Sequence, residues 1–292
     1  MAVLTAKGIS SLAIQLLVRR LVLVMTVARV PGNEYTGPNG GTITVRVPQP
    51  SAAREQANPG ATITYDDVDE VPVDVSLSHL YHAKLVSDQE LTYSLENFGR
   101  QITLPQVSAV AAGAEAKVAA AMNGLSADLQ LEADGSNIDE IVLEAREKLG
   151  RADVPLDDRY MAVSPEVATH VLSLDGMSRV DASGSSAALR EAIIGRYRGF
   201  TFVESAGLTA GHAVAYHRSG LVFASRLPVT PRGATSSATH EEGGIGLRQI
   251  FQYVPDKLSD ASVVSTFGGA SVVLDASNAR KRAVKITTKS SS

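Results

Sequence analysis

Cysteine and tryptophan are both missing from this 292-residue chain. Without Cys there are no disulfides, no thiol nucleophiles and no thiolate metal ligands, which suits a chain made and kept in a reducing cytoplasm. Eight Tyr and six Phe leave few aromatic platforms for stacking bases or sugars. The net charge of −4 is too small to demand a polyanionic partner. Long apolar runs are absent too. The stretch from Ser11 to Val30 carries Arg19 and Arg20 in its middle, which leaves runs far shorter than the about 20 residues that span a bilayer. A signal peptide carries its positive charges ahead of the apolar run, not inside it. The stretch reads as an N-terminal helix from near Thr5 into Met25, with a broad apolar face and no membrane role.

What is present is enough apolar content, 44%, for a real core in one large domain or two ordinary ones. One arm stands out. Thr42 to Val47 (TITVRV) alternates strictly, and Ala61 to Tyr65 (ATITY) repeats the pattern. Period two with β-branched residues predicts two strands. The thirteen residues between them hold Pro48, Pro50, Pro59 and Gly60, and only alanines as apolar content. An isolated two-stranded ribbon is marginal in water, so the arm lies either on its own domain or on another molecule.

The longest predicted element is a helix from Pro105 to Gly124, whose Val107, Val110, Ala114, Val118, Met122 and Leu125 share one face. Its alanines make it slim. A second helix begins at Asn137, with Glu140 placed for a capping box, and stops at Gly150. Arg159 to Val163 reads as a buried strand, and Ser164-Pro165-Glu166 as the start of a helix. Beyond a Gly/Ser-rich stretch, Asp181 to Ser186, a short helix is expected over Ala188 to Ile194. Short strands are expected at Phe200–Val203, Ala213–Tyr216 and Leu221–Ala224. Val229 to Gly243 reads as a loop, and strands resume at Gly246–Val254 and Ser262–Leu274. The fold class is therefore α+β.

None of the usual chemical constellations is convincing. His79 and His82 align only on a helix, and their segment reads as extended; His240-Glu241-Glu242 sits in the polar loop. No G-x-S-x-G elbow occurs. Gly40-Gly41 and Gly243-Gly244-Ile245-Gly246 lack the Lys-Ser/Thr of a phosphate cradle. Asp134-Gly135-Ser136-Asn137 echoes a calcium loop but is better explained by helix capping. No catalytic residue, cofactor or metal is expected. The tail from Asn278 holds Arg280, Lys281, Arg282 and Lys285 without an acidic residue. It reads as a strand with a solvated face or as a basic strip facing nucleic acid.

Several segments, taken in order, resemble the major capsid proteins of tailed double-stranded DNA bacteriophages, which have the Hong Kong 97 fold. Val27 to Pro31 (VARVP) and Gly41 to Pro48 (GTITVRVP) are similar to that family's passage from N-terminal arm to extended loop. Val86 to Ile102 resembles the approach to its spine helix, and Val154 to Pro165 the opening of its axial domain. Arg198 to Ser205 and His212 to Arg226 resemble that domain's later strands, and Gly246 to Gly269 the return strand of the peripheral domain.

The resemblance implies an N-terminal arm over 1–38 and an extended β-ribbon loop over 39–67. It implies a peripheral domain over 68–130 and 232–292, with a spine helix at about 105–124, and an axial domain over 131–231. It further implies self-assembly through pentamers and hexamers into a shell around non-specifically bound double-stranded DNA. Arg46, Pro48, Arg54, Glu55, Gln56 and Tyr65 of the loop would then touch a neighbour. Some relatives weld neighbours through a loop Lys. Here no Lys lies between Lys7 and Lys84, so non-covalent contacts are expected. An arm beginning almost at Met1 implies a separate scaffolding protein, alongside a portal. The expected location is the virion, assembled in the host cytoplasm. The alternatives are an encapsulin-like nanocompartment shell and, further off, a soluble hydrolase.

Overall fold

The computed structural model describes residues 13, 21–31, 41–48, 53–56, 58–60, 62–65, 70–93, 99–174, 193–242, 244–275 and 279–289. Along the chain the strands are β1 (Ala28–Pro31), β2 (Thr42–Pro48), β3 (Glu70–Ser76), β4 (Ser78–Ser87) and β5 (Leu129–Leu131). They continue as β6 (Arg159–Val163), β7 (Ile193–Tyr197), β8 (Phe200–Glu204), β9 (His212–His217) and β10 (Leu221–Arg226). The last four are β11 (Ser236–Glu242), β12 (Ile245–Val254), β13 (Ser259–Val272) and β14 (Ala283–Thr288). They form a ribbon of β2 and β3 and two six-stranded sheets. The first runs β1-β10-β13-β12-β11 with β4 also on β13; the second runs β5-β14-β9-β6-β8-β7.

The long helix, Leu104–Asn123, joins the two sheets. Twenty residues at 1.5 Å each make a rod of about 30 Å. Val107, Val110, Ala114, Val118 and Met122 are buried on one face, as their spacing predicts. Its first half lies on the first sheet, where Gln106 Nε2 donates to Ser262 O at 2.7 Å and Ser262 Oγ donates to Gln106 Oε1 at 2.8 Å. Its second half shares a core with Ala162, Val203, Val214 and Tyr216 of the second sheet. There a Cβ on Gly207 would come within 2.9 Å of the Ala119 methyl, so small residues on both sides set the approach.

The other face of the second sheet is covered by helices Ile138–Arg151 and Pro165–Leu172. Ile141, Val142, Ala145, Leu149, Val167 and Val171 pack there against Met161, Phe200, Phe202 and Ile286.

Several sequence expectations change. Thr42–Pro48 is a strand, but its partner is Glu70–Ser76 and not Ala61–Tyr65; the described residues 62–65 lie outside any strand. The observed register sets Ile43 opposite Val75, Val45 opposite Val73 and Val47 opposite Val71, so one face is wholly apolar. The loop expected over Val229–Gly243 contains β11, an edge strand paired with β12. Its polarity fits an edge that must not recruit further strands. Ile193 and Ile194 begin β7, not the end of a helix, and the rest of that expected helix lies outside the described residues. So does most of the Thr5–Met25 helix; Leu21 and Val22 are non-helical and a short helical turn follows at Leu23–Thr26.

Asn137 forms no capping box. Its Oδ1 accepts from Glu132 N at 2.8 Å and its Nδ2 donates to Gln130 O at 3.4 Å, pinning the preceding turn instead. Sheet membership also cuts the chain differently from the expected boundaries. β10, expected in the 131–231 region, belongs to the first sheet, whereas β14, expected with 232–292, belongs to the second.

Candidate assembly surface

The ribbon has two characters along its length. At its base, Ile43, Val45, Val73 and Val75 are buried against Val222, Ala224 and Val273 of the chain's own first sheet and the segment after it. Leu77 N donates to Gly41 O at 2.5 Å and closes the base. The fit is tight: a Cβ on Gly269 would fall 2.1 Å from Ser76 O. On the outer face Thr44 Oγ1 donates to Asp74 Oδ1 at 2.6 Å and Arg46 pairs with Glu70 at 3.4 Å, both in solvent.

Beyond Pro48 the character reverses. Arg54, Glu55 and Gln56 are exposed and outside regular structure. Ile63 is 56% exposed and Tyr65 83% exposed. A strand-like alternating sequence thus presents apolar groups to water. Arg46 stands on the neck, and Pro48 is the last residue of β2. A further exposed set, Tyr81 and Leu85, lies on β4.

The basic tail is largely committed inside the subunit. Arg280 bonds to Ser126 O at 3.0 Å and pairs with Asp128, leaving its side chain 13% exposed. Arg282 pairs with Asp275 at 2.7 Å and donates to Ser219 Oγ at 3.2 Å. Lys285 is buried, and its Nζ donates to Asn123 O at 2.6 Å, at the C-terminal end of the long helix where cations are favoured. Burial, with Arg280 nearby, lowers its pKa from the ordinary lysine value. Lys281 is exposed. Charge counting overlooked the partners because Asp128 lies more than 150 residues upstream of Arg280.

Three other residues weighed for chemistry have local structural settings. His79 stacks on Phe267 with centroids 4.6 Å apart. His79 and His82 lie on a strand, where a three-residue step points to opposite faces. Asp134 Oδ1 accepts from Ser136 N at 3.0 Å in a local turn. Among the described residues no group of His, Asp and Glu is placed to hold a metal ion, and no helix is long and apolar enough to cross a membrane.

Comparison with known proteins gives one family and many solved structures of one fold. A family model described as phage capsid protein matches residues 100–276. No curated protein matches. Among solved structures, Mycobacterium phage Che8 is similar over 91% of this chain and 90% of its own, at 21% identity and a TM-score of 0.56. The capsid of Ralstonia phage GP4 covers 91% and 88%, at 8% identity and a TM-score of 0.62. A virus-like particle from Pyrococcus furiosus covers 94% and 96%, at 12% identity and a TM-score of 0.55. At these identities the likeness is one of fold, the α+β fold of Hong Kong 97 type.

Proposed function

The chain belongs to the phage capsid protein family, and from that premise we propose that it assembles through pentamers and hexamers into an icosahedral shell enclosing double-stranded DNA. It is a structural protein that builds the capsid of a virion by association with copies of itself. The proposal adds that neighbours are held by packing and hydrogen bonds alone, since the loop has no Lys. It assigns no catalytic step. Assembly takes place in the host cytoplasm with a separate scaffolding protein and a portal.

The observation that carries this reading is the exposed apolar tip at the end of an anchored ribbon. Ile63 and Tyr65, with Arg54, Glu55 and Gln56, are the residues we assign to the neighbouring subunit, and Arg46 and Pro48 form the neck between anchor and contact. The peripheral domain is built on the first sheet and so includes β10. The axial domain is built on the second sheet and includes β14. Of the four basic tail residues, Lys281 is the one left exposed for DNA.

Deleting Gln49 to Asn58 tests the reading. The base pairing of β2 with β3 is untouched, so the expected product is a folded subunit that forms no shells in negative-stain images. Normal shells from this variant overturn the proposed clamp. A protein-filled compartment on the same fold is the competing reading, and nuclease-protected DNA in native particles decides between them.

A further inference from the structure

The helical turn Leu23–Thr26 begins without a cap of its own, because Val22 stands at the N-cap position and has no side-chain acceptor. A helix start leaves its first amides without carbonyl partners. Here they converge on one carboxylate of the long helix. Glu115 Oε1 accepts from Val22 N at 2.7 Å and from Val24 N at 3.1 Å, and Oε2 accepts from Leu23 N at 2.9 Å. Leu21, Leu23, Val24 and Val27 are fully buried around it, in the core shared with Ala111, Ala114 and Val118. At the far end of the turn, Thr26 Oγ1 and Tyr216 Oη lie 2.5 Å apart in a hydrogen bond. β1 then follows, paired parallel to β10 at the edge of the first sheet.

We propose that Leu21–Pro31 is a strap buckled to the long helix by Glu115, and that proton uptake at this carboxylate sets how tightly the strap is held. The apolar side chains supply the grip, whereas the buckle is a partly buried carboxylate with no cation paired to it among the described residues. From the helix, Lys117 is turned away to Ser78 Oγ at 2.9 Å. From the strap, Arg29 Nη1 is directed to Met25 Sδ at 3.2 Å. From β9 and β6, the groups are Tyr216 and Tyr160, stacked 6.0 Å apart. Burial holds the Tyr216 phenol well above its ordinary range, so it is neutral.

Burial pushes the Glu115 carboxyl up from its ordinary value, and the three amide donors pull it down by less. The docked strap therefore binds this proton more tightly than the released one. By linkage, docking strengthens as the pH falls from the raised value toward the ordinary carboxyl value, and is weakest above the raised value. Protonation removes an acceptor, but it relieves the larger cost of the buried charge.

Amide exchange on the full chain tests this without reference to assembly. The amides of Val22, Leu23 and Val24 report the buckle directly, since their bonds go to Glu115. In the unmodified protein, after correction for intrinsic exchange rates, their protection should rise on acidification. In Glu115→Gln, which is neutral and keeps an acceptor, it should be independent of pH. Glu115→Ala should lose about tenfold or more in protection, equivalent to about 1.4 kcal/mol, extending to Ala28–Val30 while β12 and β13 are unchanged. Protection in the unmodified protein that is flat or falls on acidification overturns the proposal, as does a Gln variant that follows the unmodified protein. The first readout needs no variant, so a failure of Glu115→Ala to fold leaves the test intact.

Discussion

At the base of the ribbon Ile43, Val45, Val73 and Val75 turn their apolar face onto Val222, Ala224 and Val273, whereas at the tip Ile63 and Tyr65 turn theirs to solvent. The residue types and the alternation are the same in both places. What differs is whether the chain offers a second apolar surface within reach. The base finds one on its own sheet and contributes to the stability of the subunit. At the tip, Ile63 and Tyr65 stay exposed among the described residues, as the proposed contact with a neighbouring subunit requires.

Substitutions at the two places should separate stability from assembly. The largest effect is expected at the base. Val75→Asp buries a carboxylate at a position with no exposure and should cost more than about 3 kcal/mol in chemical denaturation. Ile63→Asp, at the tip, should change stability by less than about 0.5 kcal/mol and yet stop shell formation in sedimentation. Equal losses of stability at both sites would break the comparison.

Next in size is Arg282→Ala. It strands the Asp275 carboxylate, whose side chain is 5% exposed, and should cost about 1.5–3 kcal/mol. A denaturant midpoint unchanged from wild type would restore Arg282 to the DNA-facing role expected from charge alone. Gly269→Ala inserts a methyl against Ser76 O and should cost about 1–3 kcal/mol, with the ribbon displaced and assembly impaired alongside it. The smallest effect belongs to Arg46→Ala. Its pairing with Glu70 is in solvent, and its loss should cost under about 0.5 kcal/mol, measured by the same denaturant midpoint.

The long helix was legible because its apolar residues recur at three- and four-residue steps and because Pro105 marks its start. β2 was legible by strict alternation. Its partner was not, since two alternating runs compete and a local pattern carries no register. The winner, Glu70–Ser76, sets Val73 and Val75 opposite Val45 and Ile43, whereas Ile63 and Tyr65 of ATITY stay exposed and residues 62–65 lie outside any strand.

The basic tail misled because a cation count says nothing of carboxylates that the fold brings alongside. Asp128 meets Arg280 only once β14 has joined the second sheet beside β5. β11 was hidden by its polarity, which an exposed edge strand requires. Glu115 left no signal in the sequence: nothing near Val22 announces that its cap lies in a helix more than ninety residues away.

The contrast between base and tip is tested most directly by amide exchange on the unassembled subunit and on assembled shells. Residues 43–47 and 71–75 should be protected in both states, and residues 62–65 should exchange freely in the subunit and become protected only in the shell. Protection of 62–65 in the isolated subunit, or free exchange of 62–65 in the shell, would contradict the assignment of the tip to a neighbour.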